Sequence, residues 1–117
     1  MIGFPGNRRI WLASQPIDFR KGMDSLAALV AQVLSADPFG GDVYIFRPKR
    51  CDRLKILVWD GSGLILATKR LEAGQFCWPP VRDGTIQLSP AQMAMLVEGL
   101  SWTKTDAKLV RRPQKAA

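Results

Sequence analysis

The tetrapeptide Asp60-Gly61-Ser62-Gly63, set between two apolar runs, constrains the fold of this chain more than any other feature. Glycine adopts positive φ at little steric cost, so a Gly-rich link of this length reads as a hairpin turn. It joins strand Leu54–Trp59 to strand Leu64–Lys69 and sets Trp59 against Leu64, Leu57 against Leu66, and Lys55 against Thr68. Upstream, Val43–Arg47 reads as another strand, connected by the loop Pro48–Arg53. The three strands make an antiparallel meander. Both of its faces are largely apolar, which predicts a sheet covered on both sides.

The same turn chemistry gathers charge. The start of the second strand, the end of the third and the first loop share one edge of the meander, where Arg47, Lys49, Arg50, Arg53, Lys55, Lys69 and Arg70 converge. Such a cluster suits polyanions, and nucleic acid foremost, because neutralising phosphates releases counterions. The bland alternative is a solvated charged face. Arg20-Lys21 and Arg8-Arg9 would extend the cluster, but spacing does not give their direction.

Around the meander, Arg9–Ala13 reads as a short buried strand closed by Ser14-Gln15-Pro16. The positions Met23, Leu26, Ala27, Val30, Val33 and Leu34 follow the spacing of one helical face. That helix begins near Gly22 and ends at Ser35-Ala36-Asp37-Pro38, since proline disfavours helical geometry in the residue before it. Gln75–Pro80 is an aromatic covering segment whose prolines forbid a long central strand. Thr85–Leu88 is a short strand. Ser89-Pro90-Ala91-Gln92 opens a second helix with a Ser cap, Pro at the first position and Gln completing a capping box, and Gly99 stops it. The predicted fold is a small α+β domain in which an antiparallel sheet packs with two helices. The domain spans residues 1–102, and a basic tail, 103–117, is predicted to be disordered and flexible.

Composition narrows the chemistry. Seventeen Lys and Arg oppose ten Asp and Glu, for a formal net charge of +7, and there is no histidine. Machinery built on Ser-His-Asp or Cys-His is therefore excluded. Cys51 and Cys77, without histidine to complete a set, predict no zinc, no other cofactor and two reduced thiols. A two-metal nuclease needs converging carboxylates. Asp60 sits in the turn, Asp52 is placed to pair with its cationic neighbours, and Asp18 and Asp24 read as helix-start residues. Tyr44 lies in an apolar strand and reads as core; Trp59 and Trp78 read as lids on it. No apolar run is long enough to span a bilayer and no signal-peptide pattern is present, so the expected location is the cytoplasm, with no membrane partner.

With these residues laid out, the chain closely resembles the TnpB accessory proteins of the insertion sequence 66 family, products of the second open reading frame of those bacterial elements. The resemblance runs through Trp11-Leu12, Asp18-Phe19-Arg20-Lys21-Gly22, Leu26, Phe46-Arg47, Asp52 to Leu57, and Trp59-Asp60-Gly61. It continues in Lys69-Arg70-Leu71-Glu72, Gly74, Phe76, Trp78-Pro79, Leu96, Glu98-Gly99 and Trp102. The tail after Trp102 lies outside it, and Ala67-Thr68 stands where family members often carry bulky aromatics. The resemblance implies a part in DNA transposition beside a larger carboxylate-dependent transposase, and no catalysis by this chain. The leading expectation is an accessory protein whose seven clustered cations hold DNA phosphates. The alternative is a protein adaptor that docks an acidic surface of the transposase through the same edge, or through an apolar patch around Phe76 and Trp78. A metal-dependent enzyme using Asp18, Asp24 and Asp60 ranks third. Oligomeric state is left open.

Overall fold

The computed structural model describes residues 8–80 and 83–100. Its elements are β1 (Ile10–Ile17), α1 (Met23–Gln32), β2 (Val43–Pro48), β3 (Arg53–Trp59), β4 (Leu64–Arg70), β5 (Thr85–Leu88) and α2 (Pro90–Val97). The strands form one five-stranded sheet in the order β4-β3-β2-β1-β5.

The hairpin forms as the turn chemistry requires. Trp59 faces Leu64, Leu57 faces Leu66 and Lys55 faces Thr68. Gly61 has φ +105°, and the Asp60 carboxylate accepts the N–H groups of Ser62 at 3.0 Å and Gly63 at 2.9 Å. These bonds, led by that from Ser62, hold the Asp60 carboxyl below its ordinary range.

The meander of β2, β3 and β4 is antiparallel as expected, and the full sheet is mixed. β1 runs parallel to β2, with Ile10 beside Val43 and Ala13 beside Phe46. The cause is α1, which carries the chain back along the sheet so that β2 restarts in the direction of β1. β1 also extends past Ala13 to Ile17, with an irregularity between them; Pro16 sits there, and its missing N–H breaks the ladder. β5 adds antiparallel on the outer side of β1.

Strand parity divides the side chains between two faces. On one, Ala13, Tyr44, Phe46 and Leu57 pack with Leu26 and Val30 of α1. On the other, Ile10, Leu12, Val43, Ile45, Leu54, Val58 and Leu88 pack with Phe76 and with Leu96 of α2. Leu26 and Val30 are wholly buried, each contributing about 1.5–3 kcal/mol by transfer from water. Met23 and Val33 of the expected helical face are exposed: α1 gives way at its cap Val33, and Ala36 N–H closes back on the Val30 carbonyl at 3.0 Å. α2 carries the complete capping box, Ser89 accepting from Gln92 N–H and Gln92 from Ser89 N–H, a feature that contributes about 1 kcal/mol. Gly99 follows at φ +78°, where a side chain would also crowd Leu71 at 3.3 Å. Trp102 and the expected tail lie outside the described residues.

Candidate nucleic-acid interface

The parallel pairing of β1 and β2 decides what meets at the basic end of the sheet. Parallel strands finish at the same end, so the loop after β1, residues 18–22, lies beside the loop after β2, residues 49–52. Lys49 N–H donates to the Ile17 carbonyl at 3.1 Å, and Lys55 Nζ donates to the Lys21 carbonyl at 2.7 Å. Arg20-Lys21 therefore joins the cationic end, which spacing alone left undetermined. Arg8 goes to the opposite end, where its Nη1 donates to the carbonyls of Gly41 at 2.7 Å and Trp59 at 2.6 Å.

The seven cations expected on one edge do gather at this end, but they divide by face and by job. Arg47 and Lys69 point to the α2 face. Arg47 Nη1 donates to the Pro79 carbonyl at 2.6 Å while its guanidinium lies over Trp78, 5.4 Å from the ring centre; burial lowers its pKa. Lys69 Nζ donates to the Val97 carbonyl at 2.7 Å, meeting the free carbonyls at the end of α2 where a cation is favoured. Lys55 points to the α1 face, is only 7% exposed, and is spent on the Lys21 carbonyl. These three hold the fold together.

Arg53 is intermediate in role. Its Nη1 donates to Asp52 at 2.8 Å, and its guanidinium lies 5.6 Å from the ring centre of Phe19, an exposed aromatic of the neighbouring loop. Directly opposite it across the hairpin stands Arg70. Like charges at facing positions across strands are unfavourable, and Asp52 pairs with Arg53. Arg50 also approaches Asp52, at 3.6 Å. Burial pulls the Asp52 carboxyl up, yet the charges of Arg53 and Arg50 outweigh it and leave the group below its ordinary range. Lys49, Arg50 and Arg70 are exposed, as are Arg20 and Lys21. Asp18 receives the Arg20 side chain at 2.7 Å and its N–H at 3.0 Å, which hold that carboxyl well below the usual range. It shapes the turn before α1, while the helix itself starts from Gly22 without a side-chain cap.

The remaining candidates fall elsewhere. Asp18 lies at the cationic end and Asp60 at the far end of β3, as the registers of β1, β2 and β3 require. Among the described residues no three His, Cys, Asp or Glu side chains are grouped to hold a metal. Tyr44 is buried in the core, and Cys51 and Cys77 form no disulfide. Phe76 is 4% exposed and Trp78 packs against the same core, so the aromatic segment faces inward. No helix among the described residues is long and apolar enough to cross a membrane.

The surface so assembled can be set against known proteins. A model of the family described as IS66 Orf2-like protein matches residues 8–107. The chain belongs to that family. It is thereby an accessory protein of an insertion sequence and part of a transposition system. The family match takes in both loops of the cationic end and continues past Trp102. The chain is similar over its whole length, and the whole length of the relative, to the uncharacterized protein y4jC of Sinorhizobium fredii (strain NBRC 101917 / NGR234), at 54% identity. It is 42% identical over 96 residues to the uncharacterized protein y4hO of the same strain, covering 82% of this chain and 84% of that one. No solved structure matches.

Proposed function

We infer that this IS66 Orf2-like protein serves transposition without catalysis of its own, by holding DNA phosphates at the cationic end of its sheet. Lys49, Arg50 and Arg70 are the principal contacts, Arg20 and Lys21 extend them, and Arg53 backs them from beneath Phe19. The observation that carries this reading is the Arg53–Arg70 pair. A fold that only needed solubility gains nothing from setting two arginines at facing positions of a hairpin, beside a loop with two further exposed cations. An anion laid over that end relieves the repulsion. These residues stand on loops and strand ends rather than on a helix that could enter a groove, which favours a contact that fixes position on the backbone rather than sequence. Arg47, Lys55 and Lys69 support the surface and do not touch the ligand.

The test is binding of purified, nucleic-acid-free protein to a labelled duplex carrying an element end, an unrelated duplex and a single strand, across a salt series. The expected result is a steep decline with salt, and a slope shallower by about 0.9 for each duplex phosphate contact removed in a Lys49→Ala, Arg50→Ala, Arg70→Ala triple variant. A triple variant with the wild-type affinity and slope overturns the assignment. Association of the protein with the transposase that survives nuclease treatment, in the absence of any DNA binding, would transfer the same surface to an acidic protein partner.

A further inference from the structure

β4 is the outer strand of the sheet, and its hydrogen-bonding parity can be read from its two ends. Asp60 N–H donates to the Gly63 carbonyl at 3.0 Å, and Leu71 N–H to the Asp52 carbonyl at 2.9 Å. Bonded and non-bonded pairs alternate along an antiparallel ladder. With the register fixed, Ile65, Ala67 and Lys69 therefore direct their backbone groups at β3, and Leu64, Leu66, Thr68 and Arg70 direct theirs outward. Among the described residues, nothing pairs with that outward row.

Exposed edges of this kind are ordinarily blunted by proline, a bulge, a charge or shortness. β5, the opposite edge, has only four residues. β4 has seven, pairs without a bulge, contains no proline, and carries no charge from Leu64 to Thr68. Its Leu64, Ile65, Leu66 and Ala67 are all only half-buried. Such a strand is built to be paired.

We propose that β4 pairs antiparallel with β4 of a second copy of this chain, about a two-fold axis at Ala67, to give one continuous sheet. The sequence of the strand selects that occupant and that register. An axis at Ala67 uses the whole strand and sets outward-bonding residues against each other, Leu64 with Arg70 and Leu66 with Thr68. A one-residue slip in register sets outward groups against inward ones and loses the ladder. Ala67 then meets its own copy in a non-bonded pair, where Cα atoms approach to about 4.5 Å, and it is the smallest side chain of the strand. Arg70 and Lys69 face Leu64 and Ile65 of the other copy, so no cation opposes a cation across the new seam. The half-buried apolar residues gain a neighbour on each face. Because the axis is normal to the sheet, both α1 helices lie on one side.

Sedimentation of the full chain, free of nucleic acid, provides the test, with Thr68→Pro as the breaking variant. The Thr68 N–H points away from β3, so proline there removes no internal bond. The wild type is expected at twice the chain mass, and the variant at the single mass with its circular dichroism unchanged. A second variant works by formation rather than loss. In a Cys51→Ser, Cys77→Ser background, Ala67→Cys is expected to give a covalent dimer under mild oxidation, since the pair at the axis falls within disulfide reach. A wild type of single mass up to about 100-fold above the working concentration overturns the proposal and leaves the edge to a strand of another protein or to this chain's own C-terminal residues. Dimers that persist undiminished in Thr68→Pro, together with an Ala67→Cys variant that does not cross-link, overturn it in favour of another surface.

Discussion

Lys55 and Arg70 stand on adjacent strands, in successive cross-strand pairs of the same sheet face, yet one is sealed inside and the other stands in solvent. The difference is what lies above them. Lys55 is roofed by the 18–22 loop and gives its ammonium to a backbone carbonyl of that loop. Arg70, at the end of the strand, has Arg53 for a neighbour and, among the described residues, no roof. The pair teaches that a basic cluster in a sequence mixes two populations. Inward cations are part of the architecture, and outward ones are available to a ligand.

Three measurements sharpen or break that division. The largest effect on stability is expected for Lys55→Met, which keeps the packed stem and removes the donor. Orphaning the Lys21 carbonyl and losing a charged hydrogen bond costs about 1.5–3 kcal/mol in chemical denaturation. A change near zero would place Lys55 with the solvated cations. Lys69→Met, half-buried and bonded to the end of α2, is expected to cost about 1 kcal/mol, with the salt slope for DNA changed by much less than loss of a phosphate contact would change it. The outward Lys49, Arg50, Arg70 triple variant reverses the pattern: stability within about 0.5 kcal/mol of wild type, and the salt slope reduced. If the inward variants flatten the slope as much as the outward ones while folding normally, the division fails.

The smallest effect concerns the turn that made the hairpin legible. The Asp60 carboxyl is held below its ordinary 3.8. A group depressed in the folded state contributes stability that is complete above its ordinary value and is lost as pH falls through the lowered one. Asp60→Ala should therefore lower the melting temperature at neutral pH by a small amount that shrinks in acid, as pH falls below the ordinary carboxylate value towards the lowered one. An equal deficit at pH 2 and pH 7 would mean that the charge plays no part in the turn.

What was legible in the sequence was local. The Asp60–Gly63 turn, the meander register and the Ser89–Gln92 capping box depend on residues a few positions apart, and each formed as read. The parallel placement of β1 was not legible, because it depends on how α1 lies across the sheet, a long-range matter that no turn residue reports. Missing it meant missing that Phe19-Arg20-Lys21 belongs to the cationic end. The inward direction of Arg47 and Lys55 had a signal: Arg47 shares parity with Ile45, and Lys55 with Leu57, both core positions. Strand alternation by itself places both cations on covered faces. What sequence does not supply is the carbonyl each one finds there.

The inward cations share a choice of partner. Arg8, Arg47, Lys55 and Lys69 all donate to backbone carbonyls, and among the described residues none is matched with a carboxylate. The fold is thus tied together by cations without consuming negative charge. Their positive charge goes uncancelled within the domain and adds to the field beyond its surface, which draws a polyanion in before any contact forms. Residues that never touch a phosphate then contribute to how fast one is found, an influence that fades as ionic strength shortens the reach of the field.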